Sequence, residues 1–296
     1  MLLTVGAWYL AGEMATHRAD ERFLYQAERE REHIIQRVSA HEQVLRGVAA
    51  FIESSEEVSH EEWHRYFHEL DLDKTLPGVQ GLGFARIVAP SEMAAHERKM
   101  QAERIGGYKI HPSGAREEYS AIIYLEPHSQ SNLQVLGYDM YTDPLRRDAM
   151  ERARDSGLPA LSGKVTLAQG ASDEEAGFVI YLPVYRDGRA GSSVEQRRSA
   201  LIGHVFSVFR AHDLLRDIMA DEGDDLDFAL FDGSVASGNL LYDSTAGTVR
   251  AARGHHVAEL PVELGGHRWV ARFQSRPAFD SSATCYLPQT VAGVGL

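Results

Sequence analysis

Cysteine occurs once in the 296 residues, at Cys285. A single thiol excludes an internal disulfide and a thiolate metal cluster. Basic charge is also scarce: 30 Lys and Arg face 43 Asp and Glu, a net charge of −13. A phosphate backbone needs a basic face, so nucleic acid is excluded as a partner. No apolar run reaches the roughly 20 residues that cross a bilayer as a helix. Catalytic signatures are missing too. There is no G-x-S-x-G elbow, no H-E-x-x-H, no P-loop, and the GLG at 81–83 lacks the rest of a dinucleotide fingerprint. Glu117 and Glu118 are adjacent, so on a strand they point to opposite faces and make no carboxylate pair. The acidic run DEGDDLD at 221–227 lacks the glycine and glutamate placement of a calcium loop. Fourteen histidines are scattered along the chain. His64 and His68 stand four apart on a helical pattern but have no third ligand nearby in sequence, which favours a structural role over metal binding. Neither metal nor cofactor is assigned, and a binding module is preferred to an enzyme.

What is present describes a folded protein. Hydrophobic residues make up 44% and charged residues 25%, enough to build a core and a solvated surface. Residues 17–54 contain no proline and only Gly47 as glycine. Within them Leu24, Ala27, Arg31, Ile34, Val38, His41, Leu45, Val48 and Ile52 recur by threes and fours, a heptad seam with polar breaks at Arg31 and His41. Such a helix is either a dimeric stalk or a stripe packed on its own domain, and both can hold in different halves. Ser59 and Glu62 form a capping box for a second helix carrying Trp63, Tyr66, Phe67 and Leu70. A strand is expected over 79–88, a helix capped by Ser91 and running to about Ile105, and strands at 108–111 and 119–125.

The middle of the chain is the most legible part. GYDMYTDPLRRDAMERARDSG at 137–157 gives an N-cap at Thr142 or Asp143, Pro144 in the first turn, and Gly157 then Pro159 as a stop. Strands are expected at 160–169, 177–185 and 200–209, then a linking helix at 212–219 and short strands to about 275. The helix carries Arg146, Arg147, Arg152 and Arg154, so a pocket wall with cations on one side can form against the strands.

Three segments in this region, EEYSAIIYLEP at 117–127, GYDMYTDPLRRDAMERARDSG at 137–157 and GFVIYLPVY at 177–185, resemble the CHASE family of extracytoplasmic sensor domains. These belong to membrane histidine kinases, nucleotide cyclases and the plant cytokinin receptors, and the resemblance is dense from about 78 to 210. It implies an α+β chain in which a long N-terminal stalk helix precedes two PAS-like antiparallel-sheet domains. The expected layout is the end of a transmembrane helix at 1–12, the stalk and second helix at 13–75 and a membrane-distal ligand-binding domain at 76–215. A membrane-proximal domain at 216–280 and the start of a second transmembrane helix at 281–296 follow. Read without the family, the apolar ends are a frayed start and a buried last strand.

The resemblance also implies a site. Where the cytokinin receptors hold an acidic side chain against a purine-like head group, this chain has Arg146. Their strand backbone contact corresponds to Ala168, their strand hydroxyl to Tyr181, and a small hydroxyl residue that shapes the pocket to Ser162. A guanidinium donates only and prefers carboxylate or phosphate. The expected ligand is therefore a small molecule, an anionic metabolite rather than a neutral purine. The alternatives for Arg146 are a solvated helix face or an ion pair with Asp143 or Asp139. The remaining expectations are a homodimer through the stalk, location at the plasma membrane with this region outside the cytoplasm, and a cytoplasmic kinase or cyclase/phosphodiesterase output. A spacer module sensing a partner protein is the alternative function.

Overall fold

The computed structural model describes residues 2–70, 78–103, 107–167, 175–188, 190–220, 225–246 and 254–284. The chain is α+β: a long N-terminal helix precedes two antiparallel sheets of PAS-like character. It divides into two compact units, the larger comprising residues 37–217 and 263–267 and the smaller residues 1–36, 218–262 and 268–296.

Helix α1 (Leu2–Glu53) contributes to both units. No proline interrupts it, so the backbone ladder continues through the whole segment. Along the expected seam Ala27, Ile34, Val38, His41, Leu45, Val48 and Ile52 are all buried by the chain itself, while Leu24 is exposed. The spacing therefore marks a docking stripe on the chain's own core, since over a few turns heptad and amphipathic periods coincide. The break at His41 is accommodated locally: Nδ1 lies 2.7 Å from the Arg37 carbonyl oxygen and the ring meets Phe209 edge-on at 4.9 Å.

In the larger unit, α2 (His60–Leu70) starts at the expected capping box, with Ser59 N donating to Glu62 Oε2 (2.9 Å) and Glu62 N donating to Ser59 Oγ (3.2 Å). Strand β1 (Val79–Val88) is followed by α3 (Met93–Ala102). The N-cap of α3 is Glu92 without a side-chain cap bond, so the expected Ser91 cap is not found, and the expected end at Ile105 lies outside the described residues. Nor is 108–111 a strand, apart from one bridge from His111 to Tyr138. Side chains of α3 have taken its polar groups: Glu97 Oε1 accepts from Ile110 N, and Gln101 Nε2 donates to the Tyr108 carbonyl.

Strand β2 (Tyr119–Glu126) precedes α4 (Gln130–Gln134), α5 (Pro144–Ser156), β3 (Ala160–Leu161), β4 (Val165–Leu167) and β5 (Glu175–Tyr185). Helix α6 (Val194–Ala200), β6 (Leu201–Arg210) and α7 (Ala211–Ala220) follow. The sheet order is β2-β1-β6-β5-β3, with β4 also on β5. The single strand expected at 160–169 is thus two short ones. Ser162 is the cause: its N donates to Val179 O, but Val179 N returns to Ser162 Oγ instead of a carbonyl, and the chain leaves the ladder.

A register shift aims the side chains of β2. Phe84 opposes Tyr124 and Ala85 opposes Ile122, leaving Ile123 as a bulge. Ile122 then joins the core beneath α5, while Tyr124 stacks on Trp63 of α2 at 4.8 Å. His60 Nε2 reaches the bulged Ile123 carbonyl at 3.0 Å. Gly83 explains part of the GLG: a Cβ there would strike the Phe206 ring. Helix α5 packs Ala149, Met150 and Ala153 onto Ile122, Val179, Tyr181 and Phe206. Other elements hold its C-terminal half: His204 Nε2 donates to Met150 O (3.0 Å), Tyr185 OH to Arg154 O (2.6 Å), and Arg197 Nε to Asp155 O (2.8 Å).

The smaller unit carries β7 (Leu226–Asp232), β8 (Leu240–Asp243), β9 (Val257–Leu264) and β10 (His267–Ser275) in the order β8-β7-β10-β9, then α8 (Pro277–Thr284). Trp269, Ala271 and Phe273 are buried on alternate positions of β10, as the sequence pattern predicts. Phe273 stacks on Phe228 at 5.3 Å, and Phe23 of α1 lies against His256 and Phe279. The strand expected around 248–254 falls largely outside the described residues.

Candidate functional site

The N-terminus of α5 is built as its sequence dictates. Asp143 is the N-cap, its Oδ1 accepting from Leu145 N (2.9 Å) and Arg146 N (3.3 Å), with Pro144 at the first position and Gly157 closing the helix at φ 73°. The segment leading in is clamped by Asp139, which is fully buried. Its Oδ1 accepts from Ser120 N and Tyr141 N, and its Oδ2 lies 3.2 Å from Arg116 Nε. Asp139 is therefore spent on the fold, and Asp143 is the acid that meets Arg146.

Between α5, α4 and the sheet lies a cavity of about 180 Å³. Ile122, Leu125, Val135, Met140, Leu167, Phe206 and Val208 give it apolar walls, and Gln80, Asn132, Tyr138, Asp143, Arg146 and Thr166 supply the polar groups. Of the four arginines on α5, three are engaged elsewhere. Arg147 donates to the Tyr141 carbonyl; Arg152 to the Leu161 and Gly265 carbonyls and to Asp148; Arg154 to Asp155. Arg146 faces the cavity with its side chain 12% exposed, and Nε is 3.4 Å from Asp143 Oδ2 but finds no aligned hydrogen-bond acceptor.

Tyr181 does not line the cavity. It is fully buried beside Arg146, close enough to feel the charge, yet its hydroxyl forms no well-aligned hydrogen bond. Burial pushes the Tyr181 hydroxyl up to about 12, against the lowering pull of the Arg146 guanidinium. Burial alone would lower the pKa of Arg146, but Tyr181 and Asp143 more than offset it, so the guanidinium stays charged. Ser162 is also fully buried and away from the cavity, its hydroxyl donating to Gly163 O while accepting from Val179 N. Ala168 lies outside the described residues. The sequence thus places one of its four candidates, Arg146, on the cavity. It did not find Tyr138, Asn132 or Gln80, whose convergence depends on the bulge in β2 and on the short helix α4, and neither leaves a periodic signal.

A second cavity, of about 460 Å³, lies on the opposite side of the sheet between the end of α1 and α3, with Arg86, His96 and Lys99 among its polar walls. Lys99 is paired with Glu57. Burial pulls the His96 imidazole down to about 4, so it is neutral at pH 7, with Nε2 3.0 Å from the Tyr108 hydroxyl.

Among the described residues no helix is long and apolar enough to cross a membrane. The solved structures similar to this chain include an extracellular ligand-binding receptor from Desulfohalobium retbaense. It has a TM-score of 0.52 and 10% identity over 86% of this chain and 40% of that one. The ligand-binding domain of a Pseudomonas aeruginosa amino-acid chemoreceptor, solved with GABA, has a TM-score of 0.49 and 12% identity over 87% and 99% of the two chains. In sequence, hybrid signal transduction histidine kinase A of Dictyostelium discoideum is 26% identical in an alignment 207 positions long that covers 62% of this chain. This chain spans only 10% of that relative's length. The CHASE domain model matches residues 56–242, well over half of the sequence, including all of the larger sheet and helix α5, which carries Arg146. By that match the chain belongs to the CHASE domain family of sensor modules, which are not catalytic.

Proposed function

We propose that the chain is the ligand-sensing region of a transmembrane signalling receptor and that it binds a small, anionic metabolite in the cavity under α5. The observation that carries this reading is Arg146: a buried guanidinium on a cavity wall whose Nε has a 3.4 Å ion pair with Asp143 and no aligned hydrogen bond. A buried donor of that kind is costly unless paired, and a ligand carboxylate or phosphate supplies the missing acceptor. The cavity is smaller than the ~300–1,000 Å³ typical of drug-sized ligands, which points to a compact metabolite. Tyr181 lies beside the guanidinium, Ser162 fixes the β3–β5 register that backs it, and Ala168 would offer the ligand a backbone contact. In this reading the sensor lies outside the cytoplasm and a kinase or cyclase output lies inside. Isothermal calorimetry of wild type and Arg146→Ala against a panel of small acids and neutral purines tests the proposal. Loss of the charge-assisted bond should weaken acid binding by about ten- to a hundredfold. Tight binding of a neutral purine that ignores Arg146→Ala would overturn the anionic ligand.

A further inference from the structure

We infer that His64, Glu126 and His128 form a binding site for a divalent transition-metal ion of zinc's chemistry, at the junction of α2 with the end of β2. The three residues come from three places: His64 on α2, Glu126 at the last position of β2, and His128 in the turn that follows. Their ligand atoms all lie within 4.8 Å of one another. Glu126 Oε1 is 3.0 Å from His64 Nδ1 and 3.1 Å from His128 Nε2. The two imidazoles stack almost parallel, 4.8 Å between centroids and 6° between planes, and Glu126 Oε1 is the point their nitrogens share.

Charge gives the reason for a cation there. The Glu126 side chain is only 5% exposed, and a carboxylate held out of water needs a compensating positive charge. Its polar partners are these two histidines. A divalent ion bound by the carboxylate and the two imidazoles compensates the charge, and two nitrogens with one oxygen is a donor set that zinc accepts. Contraction of the ligand distances to about 2.0–2.2 Å needs only side-chain rotation, because His64 and His128 are half exposed, at 53% and 42%. Their exposure also leaves the ion an entry path and an open coordination position. The i, i+4 pair His64–His68 is therefore the wrong pair: His64 finds its partners 62 and 64 positions further along the chain. This reading stands apart from the α5 cavity and does not depend on it.

The test is calorimetric titration of Zn²⁺ into the tag-free, EDTA-stripped full chain, with His64→Ala, His128→Ala and, as a control, His68→Ala. The expected result is one saturable site that weakens by about tenfold or more when either ligand histidine is lost, and that is unchanged in His68→Ala. Far-UV circular dichroism checks that the variants fold. X-ray absorption at the zinc edge of the wild type needs no variant and should show two imidazole nitrogens. Absence of saturable binding, equal affinity in all variants, or a zinc shell without imidazole would each overturn the site.

Discussion

At the residue scale the informative contest is between Arg146 and Asp143. Asp143 serves two ends, capping α5 with Oδ1 and partly neutralising Arg146 with Oδ2. Asn caps a helix about as well as Asp but carries no charge. Asp143→Asn should therefore leave thermal stability within about 1 kcal/mol and tighten binding of an anionic ligand several-fold. Weaker acid binding in this variant would mean that the Asp143 carboxylate accepts a hydrogen bond from a donor group on the ligand. Gly137 tests the approach to the same site. Its φ is 84°, and a Cβ would collide with the Lys109 carbonyl. Gly137→Ala should cost at least ~1 kcal/mol in urea denaturation.

His204 sets a pH dependence. It is fully buried, and burial pulls its pKa down to about 3, against the raising effect of its bond to Met150 O. In the unfolded chain it titrates near 6.5. The unfolded state thus binds the extra proton between about pH 6.5 and 3, and stability falls as pH drops through that window. At pH 5 the contribution is a loss of ~2 kcal/mol relative to pH 7. His204→Gln, which keeps a donor for Met150 O, should flatten the dependence in urea melts at pH 5 and 7. Equal slopes would show that His204 is not responsible.

At the element scale, what the sequence could and could not reveal separates by range. Helix α5 was legible because all its signals are local: cap, proline and terminal glycine fall within fifteen residues. Strands β1, β2, β5 and β6 were legible from their composition. The break at Ser162 was not, because it depends on a side chain replacing a carbonyl toward Val179. The false strand at 108–111 failed for the same kind of reason, the Ile110 N–H being taken by Glu97 and the Tyr108 carbonyl by Gln101. On α1 the spacing was right, and the structure supplies what covers it. Leu45 is fully buried by its own chain. Leu45→Ala should destabilise by ~2–5 kcal/mol without changing the sedimentation coefficient.

For the whole molecule, two measurements bear on the proposed receptor. A ligand at a hundred times its dissociation constant stabilises the folded state by ~2.7 kcal/mol. For a unit of this size that corresponds to an upward shift in Tm of about 5–10 °C, so a thermal-shift screen of small acids should find it. Association through α1 would use the side chains that its own core leaves outside. Leu10, Met14, Leu24 and Tyr25 are exposed, whereas the buried seam is not accessible. Concentration-dependent sedimentation that disappears in Leu24→Asp with Tyr25→Asp would support a homodimer; unchanged sedimentation would leave this surface without that role.

The bonds that hold α5 are unevenly distributed along it. His204, Tyr185 and Arg197 grip carbonyls at 150, 154 and 155, while the bonds of the first turn go to Asp143 and Tyr141 in the segment just before it. Mechanically the helix is a beam clamped at one end, and Arg146 sits near the unclamped tip. Thermal opening should begin at that tip, so deuterium should enter the amides of 145–149 sooner than those of 151–156. A ligand that engages Arg146 closes the tip against the sheet and should slow exchange there first, leaving the clamped half as it was.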